Sequence, residues 1–332
     1  YRFMIITRTP FRISFVGGGS DMETFYSRFP GAVLSTSINK YMYISSHRFF
    51  FPGQVRVKYS ETETVNHINE LKHPLLREAM RKTGVTSGIE ISSIADIPSG
   101  TGMGSSSSFT VGLLHCLYAV KRHYVTQDQL AQEACQIEIE LLGEPIGKQD
   151  QYAAAFGGLN IIHFLANGDV RVEPLYIQHE IFRTLQENLL MFYVGNQRKA
   201  SDILSEQKKN VLQEEKFTVL KSMVSLVPDL RDCLYKGRLE EFGKILHENW
   251  TLKQKLATQI TNTTIDDIYK AGIRNGASGG KLLGAGGGGF MLFYCDKDRQ
   301  QKLIEALRPL EKFDFAFEHE GSKVIYFADE EF

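Results

Sequence analysis

The chain is organised around one stretch, residues 98–108, which reads Pro-Ser-Gly-Thr-Gly-Met-Gly-Ser-Ser-Ser-Ser and lies between a strand-like segment and a predicted apolar helix. Its three alternating glycines permit positive φ angles, so the backbone can bring N–H groups close to a ligand. The helix N-terminus adds unpaired N–H groups and a positive dipole end. We interpret the stretch as a phosphate-binding loop; the plainer alternative is a flexible loop in which Ser105 caps the helix.

Two common phosphate-binding motifs do not describe this loop. A Walker motif needs Gly-Lys-Ser/Thr, which occurs nowhere in the chain. The Rossmann spacing also fails, because Gly104 comes one residue too early. If the loop binds phosphate, it does so without either of these two motifs.

A carboxylate is predicted on a buried helix face. Leu130, Ala134, Ile137 and Leu141 form an apolar stripe at helical spacing, and Glu138 falls on the same face. A buried carboxylate needs a partner such as a cation or a metal ion. A buried salt bridge and a glutamate at the edge of the stripe remain alternatives.

Asp150 follows a turn, residues 143–149, at the start of a predicted helix. It can stabilise the first helical turn through the helix dipole. Placed near the phosphate loop, it could instead take or orient the proton of an attacking hydroxyl. The spacing alone leaves both roles open.

A second glycine run, residues 284–289, has five glycines in six positions and enters a strand. Ordering so much free backbone is costly, and a close approach to a ligand or to another loop would justify it. A tight turn with several positive φ values is the alternative.

The periodicity predicts an α+β protein. We expect strands at residues 5–16 around a turn at Pro10, and a pair at residues 32–39 and 41–47. Helices dominate after about residue 185. We expect two domains, residues 1–180 and 181–332, meeting near residue 180.

Composition limits the partners. With 332 residues and a formal net charge of -1, the chain has no field that would attract nucleic acid or anionic lipid. Its four cysteines form no CxxC pair, which disfavours a disulfide framework or a zinc site. We expect a cytoplasmic protein with no nucleic-acid or membrane partner; the sequence leaves its oligomeric state open.

Three stretches, taken in order, resemble the motifs of the GHMP kinases, the family of galactokinase, homoserine kinase and mevalonate kinase. Residues 98–106 match the second motif, with Met103 at the usual leucine, and residues 281–289 match the third. Residues 9–21, Thr-Pro-Phe-Arg-Ile-Ser-Phe-Val-Gly-Gly-Gly-Ser-Asp, match the first. The resemblance covers nearly the whole chain. It implies a GHMP kinase fold, with a ribosomal-S5-like N-terminal domain, a ferredoxin-like C-terminal domain and the active site between them.

The resemblance also implies roles for individual residues. ATP would be the donor, Mg²⁺ the cofactor, and a sugar or sugar phosphate the acceptor. The residues expected to bind ATP are Gly100, Thr101, Gly102, Met103, Gly104, Ser105, Ser106 and Ser107. Ser106 and Glu138 would hold Mg²⁺. Arg12 would lie near the transferred phosphate, Asp150 would be the active-site aspartate, and the third motif would buttress the phosphate loop.

The turn Gly18-Gly19-Ser20-Asp21 would bind the acceptor, with Asp21 as the acid that binds sugar hydroxyls in galactokinase. The first motif resembles that of the heptose kinases of surface-polysaccharide synthesis, which implies transfer to the anomeric hydroxyl of a heptose 7-phosphate. A cationic pocket must then hold the second phosphate, and we predict Arg198 in it. Alternatives are a kinase for free fucose, mannose or galactose, an ATP-driven decarboxylase, and a non-catalytic sugar and ATP sensor.

Overall fold

Two β-sheets organise the part of the chain that the computed structural model describes, residues 2–195 and 200–330. Within those residues, nine strands form the first sheet and four antiparallel strands form the second. The strands are β1 (Arg2–Val16), β2 (Gly31–Arg48), β3 (Val55–Lys58), β4 (Thr62–Val65), β5 (Ile89–Ala95), β6 (Leu159–Phe164), β7 (Val170–Pro174), β8 (Leu189–Tyr193), β9 (Ala277–Leu282), β10 (Phe290–Cys295), β11 (Lys312–Phe313), β12 (Phe317–Glu318) and β13 (Lys323–Glu330).

The first sheet has the order β13-β1-β2-β5-β3-β4, with β6 and β12 also on β2 and with β7 on β6. The pairing of β3 with β5 is parallel, and the other pairs are antiparallel. The second sheet has the order β11-β8-β10-β9. This arrangement confirms the predicted α+β class. The division into two domains at residue 180 remains a proposal. The late strand β13 pairs with β1 and so belongs to the first sheet.

The predicted turn at Pro10 is wrong, because β1 runs through it as one strand. The pairing with β2 shifts between Pro10 and Phe11, so Asn39 and Lys40 are extra residues opposite this point. A bulge accommodates both the missing proline N–H and the extra residues. The two strands predicted at residues 32–47 are for the same reason one continuous β2.

Helices cover the sheets. They are α1 (Glu23–Tyr26), α2 (Pro74–Thr83), α3 (Ser105–Val120), α4 (Gln127–Cys135), α5 (Gln149–Phe156), α6 (His179–Asn188), α7 (Ala200–Asn210), α8 (Glu214–Tyr235), α9 (Leu239–Lys253), α10 (Thr263–Arg274) and α11 (Gln300–Ala306). Two 3₁₀ turns span Ile68–Glu70 and Lys297–Arg299, and a π-helical segment spans Gln136–Leu141.

The π-helical segment corrects the predicted apolar stripe. It directly follows α4, and its wider turn rotates the helix face. Leu141 is therefore 55% exposed instead of buried, whereas Glu138 is fully buried as predicted. π-helical turns within helices are frequent at functional sites.

Helices α8 and α9 connect two hydrophobic cores. Leu226 of α8 and Phe242 of α9 pack in the core of the first sheet, whereas Met223 of α8 and Trp250 of α9 pack in that of the second. Because both helices contribute to both cores, they fix how the C-terminal half meets the first sheet. All four cysteines are buried and free. In the described ranges, no helix combines the length and apolarity needed to cross a bilayer.

Candidate active site

A cavity of about 210 Å³ lies where β1, the 98–108 loop and helices α7 to α9 meet. It brings together most residues that the sequence predicted. Those that line it are Arg12, Gly18, Gly19, Asp21, Gly100, Gly102, Gly104, Ser105, Ser106 and Asp150. Residues far apart in sequence thus meet at one place.

The 98–108 loop has the backbone that its glycines predicted. Gly100, Gly102 and Gly104 have φ angles of 79°, 83° and 74°, where only glycine is readily accommodated. Gly104 directly precedes α3, so the loop leads into a helix N-terminus at the cavity wall. A Cβ atom on Gly104 would lie 3.3 Å from the Asp150 carboxylate.

Three loop residues that were predicted to bind ATP do not turn their side chains into the cavity. The Thr101 hydroxyl donates to the Pro98 carbonyl at 3.0 Å. Met103 is 1% exposed and packs in the first core, and Ser107 donates to Glu138 at 2.9 Å. Only their backbone groups remain as candidates for nucleotide contacts.

Arg12 and Asp150 form a bidentate ion pair at the cavity wall. The Arg12 Nε atom donates to Asp150 Oδ1 at 2.7 Å, and Nη2 donates to Oδ2 at 2.9 Å. Nη1 donates to the Gly102 carbonyl at 2.7 Å, which attaches the pair to the phosphate loop. Charge-assisted fork contacts of this kind fix both side chains in orientation. The first motif, the loop and the predicted active-site aspartate therefore form one unit.

Glu138 is the centre of a buried hydrogen-bond cluster behind the loop. Its carboxylate accepts from Ser106 Oγ at 2.8 Å, from Ser107 Oγ at 2.9 Å and from Gln151 Nε2 at 2.7 Å. Burial raises its pKa to about 7, against the lowering effect of these three donors. Among the described residues, no Lys, Arg or His forms an ion pair with it.

These groups fit a magnesium ion in their chemistry. Mg²⁺ prefers a few oxygen ligands together with nucleotide oxygens and water, and a fully buried carboxylate without a cation gains from one nearby. The Ser106 hydroxyl donates its hydrogen bond to Glu138, so its oxygen lone pairs remain available, and Ser106 lines the cavity. Glu138 itself is not one of the cavity-lining residues. In the described ranges there is no cluster of three or more His, Cys, Asp or Glu side chains arranged for a metal.

Asp21 holds two turns together at the wall of the cavity. Its carboxylate accepts from Gly19 N at 3.0 Å, from Gln149 N at 3.1 Å and from Gln149 Nε2 at 3.3 Å. Burial, followed by the nearby Asp150 charge, raises the pKa of Asp21. A Cβ on Gly147 would lie 2.0 Å from Asp21 Oδ2, so this turn needs a glycine there.

The prediction that Ser20 binds the acceptor finds no support in its side-chain contacts. Its side chain is fully buried and donates to the Gly17 carbonyl at 2.8 Å and accepts from Ala32 N at 3.1 Å. It does not line the cavity. The hydroxyl stabilises the turn from behind, and we assign it no substrate contact.

The second glycine run packs against the phosphate loop, backbone to backbone. A Cβ on Gly284 would lie 2.3 Å from the Gly102 Cα atom, and one on Gly102 would lie 2.5 Å from the Leu283 carbonyl oxygen. Both positions have positive φ. This contact is the close approach that the sequence predicted, and it agrees with a buttressing role.

Several cavity residues have no individual role among the sequence predictions. Lys253 and Lys281 line the cavity and are 7% and 1% exposed. Gln149 also lines it, and its buried Oε1 atom has no hydrogen-bond partner among the described residues. Lys253 shared the signal that revealed Glu138, because it continues the buried stripe of Phe242 and Leu246 on α9. Arg198 lies outside the described residues.

Comparison with known proteins relates this chain to a protein family. Residues 67–158 match the model of the GHMP kinases N terminal domain, and residues 230–310 match that of the GHMP kinases C terminal domain. The D-glycero-alpha-D-manno-heptose 7-phosphate kinase of Campylobacter jejuni is 32% identical over 96% of this chain and 98% of that protein.

Solved structures show the same fold. A D-glycero-D-manno-heptose 1-phosphate kinase from Bacteriodes thetaiotaomicron superposes with a TM-score of 0.81 at 24% identity, covering 98% of this chain and 100% of the other. A putative sugar kinase from Campylobacter jejuni gives a TM-score of 0.75 at 26% identity, with 98% of both chains covered.

Proposed function

The chain belongs to the GHMP kinases and transfers phosphate to a sugar hydroxyl, and from this we propose that its acceptor is D-glycero-D-manno-heptose 7-phosphate, phosphorylated by ATP on the anomeric hydroxyl. The carrying observation is the Arg12–Asp150 pair bonded to the phosphate loop through Gly102. This pair places a fixed cation and a carboxylate side by side where a loop suited to phosphates meets the rest of the cavity. The heptose 7-phosphate kinase of Campylobacter jejuni, at 32% identity, supports the choice of acceptor.

The loop is our proposed seat for the ATP phosphates. Its positive-φ glycines and the N-terminus of α3 would present N–H groups to the phosphate oxygens. Arg12 would then face the transferred phosphate, because its guanidinium is bonded to Gly102 of the same loop. A fixed guanidinium stabilises negative charge that grows in the transition state without having to reorganise.

Asp150 is our proposed partner of the attacking hydroxyl. Its side chain is 24% exposed and lines the cavity, so a hydroxyl can approach it beside Arg12. In the step we propose, the anomeric oxygen forms a bond to the γ-phosphorus and the bond from that phosphorus to the bridging oxygen of ADP breaks. The hydroxyl proton passes towards Asp150, and ADP leaves. Positioning and charge neutralisation supply most of the rate in such transfers, and no covalent enzyme intermediate is needed.

Ser106 and Glu138 are the residues that we propose would hold Mg²⁺. The ion, when bound, neutralises charge on the nucleotide oxygens. Ser106 lies at the cavity surface and Glu138 lies directly behind it, joined by the 2.8 Å hydrogen bond.

At the acceptor end, Gly18, Gly19 and Asp21 line the cavity and are our proposed sugar-binding turn. The 7-phosphate needs a cation, and we retain Arg198 for this role. Ala200, two residues later in the sequence, lines the cavity. We also propose a cytoplasmic location, supported by the four free and buried cysteines.

The choice of acceptor predicts the outcome of a substrate panel. ADP release with magnesium-ATP is measured against heptose 7-phosphate, the same heptose without phosphate, mannose, fucose, galactose and no sugar. We expect kcat/KM for heptose 7-phosphate to exceed that for any free sugar by at least about a hundredfold, because a phosphate matched to a cationic pocket contributes a few kcal/mol. Comparable turnover on a free sugar would retain the sugar kinase and reject the heptose 7-phosphate assignment.

A further inference from the structure

The cavity holds more buried positive charge than the proposed chemistry uses. Arg12 is neutralised by Asp150, whereas Lys253 and Lys281 have no Asp or Glu in ion-pair contact within the described part of the chain. Both lysines are nearly inaccessible to solvent. A buried ammonium group without a counter-ion is unfavourable, so its retention at a cavity wall points to an anion that arrives with a ligand.

The two lysines differ in how they are held. The Lys281 Nζ atom donates to the carbonyls of Ser14 and Phe15 at 2.7 Å and 3.2 Å, so it links β9 to β1. Lys253 donates only to the Gly284 carbonyl among its described neighbours, which leaves two of its three N–H donors without a partner in those ranges. Lys253 is therefore the lysine that can bond a ligand.

Helix α9 fixes Lys253 in place. Lys253 is the last residue of α9, and Asn249, one turn earlier on the same face, accepts a hydrogen bond from Gly17 N at 3.2 Å. Trp250 between them packs in the second core and is 1% exposed. The helix end is thus tied to the first-motif turn on one side and to the second glycine run on the other.

The contacts around Lys253 place it beside the loop that we propose for the ATP phosphates. Its partner Gly284 packs on Gly102, and Gly102 also receives the Arg12 hydrogen bond. The charges facing Lys253 are those of Arg12, Asp21 and Lys281. Burial, followed by Arg12, lowers the pKa of Lys253 to about 8, and Asp21 opposes this shift.

We propose that Lys253 binds the terminal phosphate of ATP opposite Arg12, so that the C-terminal half of the chain supplies a second cation to the phosphoryl group in transfer. The proposal rests on the kinase function above. Under this proposal the third motif does more than buttress the phosphate loop, because the Gly284 carbonyl orients the Lys253 ammonium group. Lys253 makes no covalent bond, and the bonds that form and break are those already described.

Nucleotide binding tests this directly. Dissociation constants are measured, with magnesium, for ADP and for the ATP analogue with an imido bridge between the β- and γ-phosphates. In Lys253→Met we expect about a tenfold weaker affinity for the analogue and an ADP affinity within about twofold of wild type, as charge-assisted contacts to one phosphate imply. Lys253→Arg should keep most of the preference, and the exposed Lys255→Met should resemble wild type. Equal weakening for both nucleotides, or none, would overturn the proposal.

The pH dependence of kcat/KM for ATP distinguishes a lysine that binds phosphate from one that only supports the structure. A lysine carries its charge below its pKa, so wild-type kcat/KM for ATP should fall as the pH rises through about 8. Lys253→Arg should remove this alkaline limb, because arginine stays charged. An unchanged limb would count against Lys253. If Lys253→Met does not fold, Lys253→Gln replaces it, since the amide retains N–H donors without the charge.

The kinase function and the role of Lys253 can be rejected separately. A wild-type chain that binds no ATP analogue would reject the kinase function itself. Normal wild-type binding and turnover, with Lys253→Met turning over within about threefold of it, would reject only the role of Lys253. The nucleotide measurement needs no acceptor, so an error in the choice of sugar leaves it intact.

Discussion

Asp150→Asn is expected to lower kcat by about a thousandfold while leaving the dissociation constant of ATP within about threefold of wild type, since general-base contributions span roughly this range. Asparagine keeps the shape of the side chain but loses the charge that can accept a proton. In our proposal the nucleotide contacts come from the loop and from the N-terminus of α3, and the substitution leaves the residues of both unchanged. Acceptor-dependent ADP release measures turnover, and calorimetric titration with ATP measures binding.

Two controls separate chemistry from structure in this experiment. Asp128→Asn, an exposed aspartate on α4, should behave as wild type. Asp150→Asn also leaves the buried Arg12 guanidinium without its counter-ion, which lowers stability by a few kcal/mol. The double variant Arg12→Met with Asp150→Asn should therefore regain stability but no turnover. Activity of the single variant within a few-fold of wild type would show that Asp150 has been misassigned.

Glu138→Gln is expected to raise the Mg²⁺ concentration for half-maximal activity at least about tenfold and to lower kcat, because loss of a ligand-supporting group typically costs 10–100-fold. The amide has the same size, and the Ser106 and Ser107 hydroxyls can reorient to bond it. It removes a buried charge that has no cation among its described neighbours. The metal-free melting temperature should consequently stay the same or rise.

Magnesium titrations of turnover, together with thermal melts in a chelator, provide this test. The neighbouring exposed Glu140→Gln is the matched control and should change neither quantity. A Glu138 that only holds the loop together predicts the opposite pattern, with a lower melting temperature and an unchanged Mg²⁺ requirement. That pattern would show that Glu138 does not help to hold Mg²⁺.

Local sequence features predicted the parts of the site that depend on short segments. The three alternating glycines permitted positive φ angles at residues 100, 102 and 104, and the structure has them. Glu138 was predicted to be buried because it lies on an apolar face. The same argument failed for Leu141, since a period of 3.6 residues does not describe the π-helical segment.

Features that depend on distant contacts were harder to predict. Arg12 and Asp150 are 138 positions apart, and only the family resemblance suggested that they act at one site. Ser20 belongs to the matched motif, yet its hydroxyl points into the turn, where it donates to the Gly17 carbonyl and accepts from Ala32 N. Lys253 continues a buried stripe on α9 that the sequence shows, but its place at the cavity follows only from the packing of α9 between the two cores.

Product analysis by phosphorus NMR tests the central claim most directly. Enzyme is incubated with magnesium-ATP and D-glycero-D-manno-heptose 7-phosphate, and the phosphorus signals are followed over time. We expect equal amounts of ADP and of a heptose bisphosphate whose new phosphorus signal couples to the anomeric proton. ADP accompanied only by inorganic phosphate, or a new phosphate ester at another carbon, would contradict the claim.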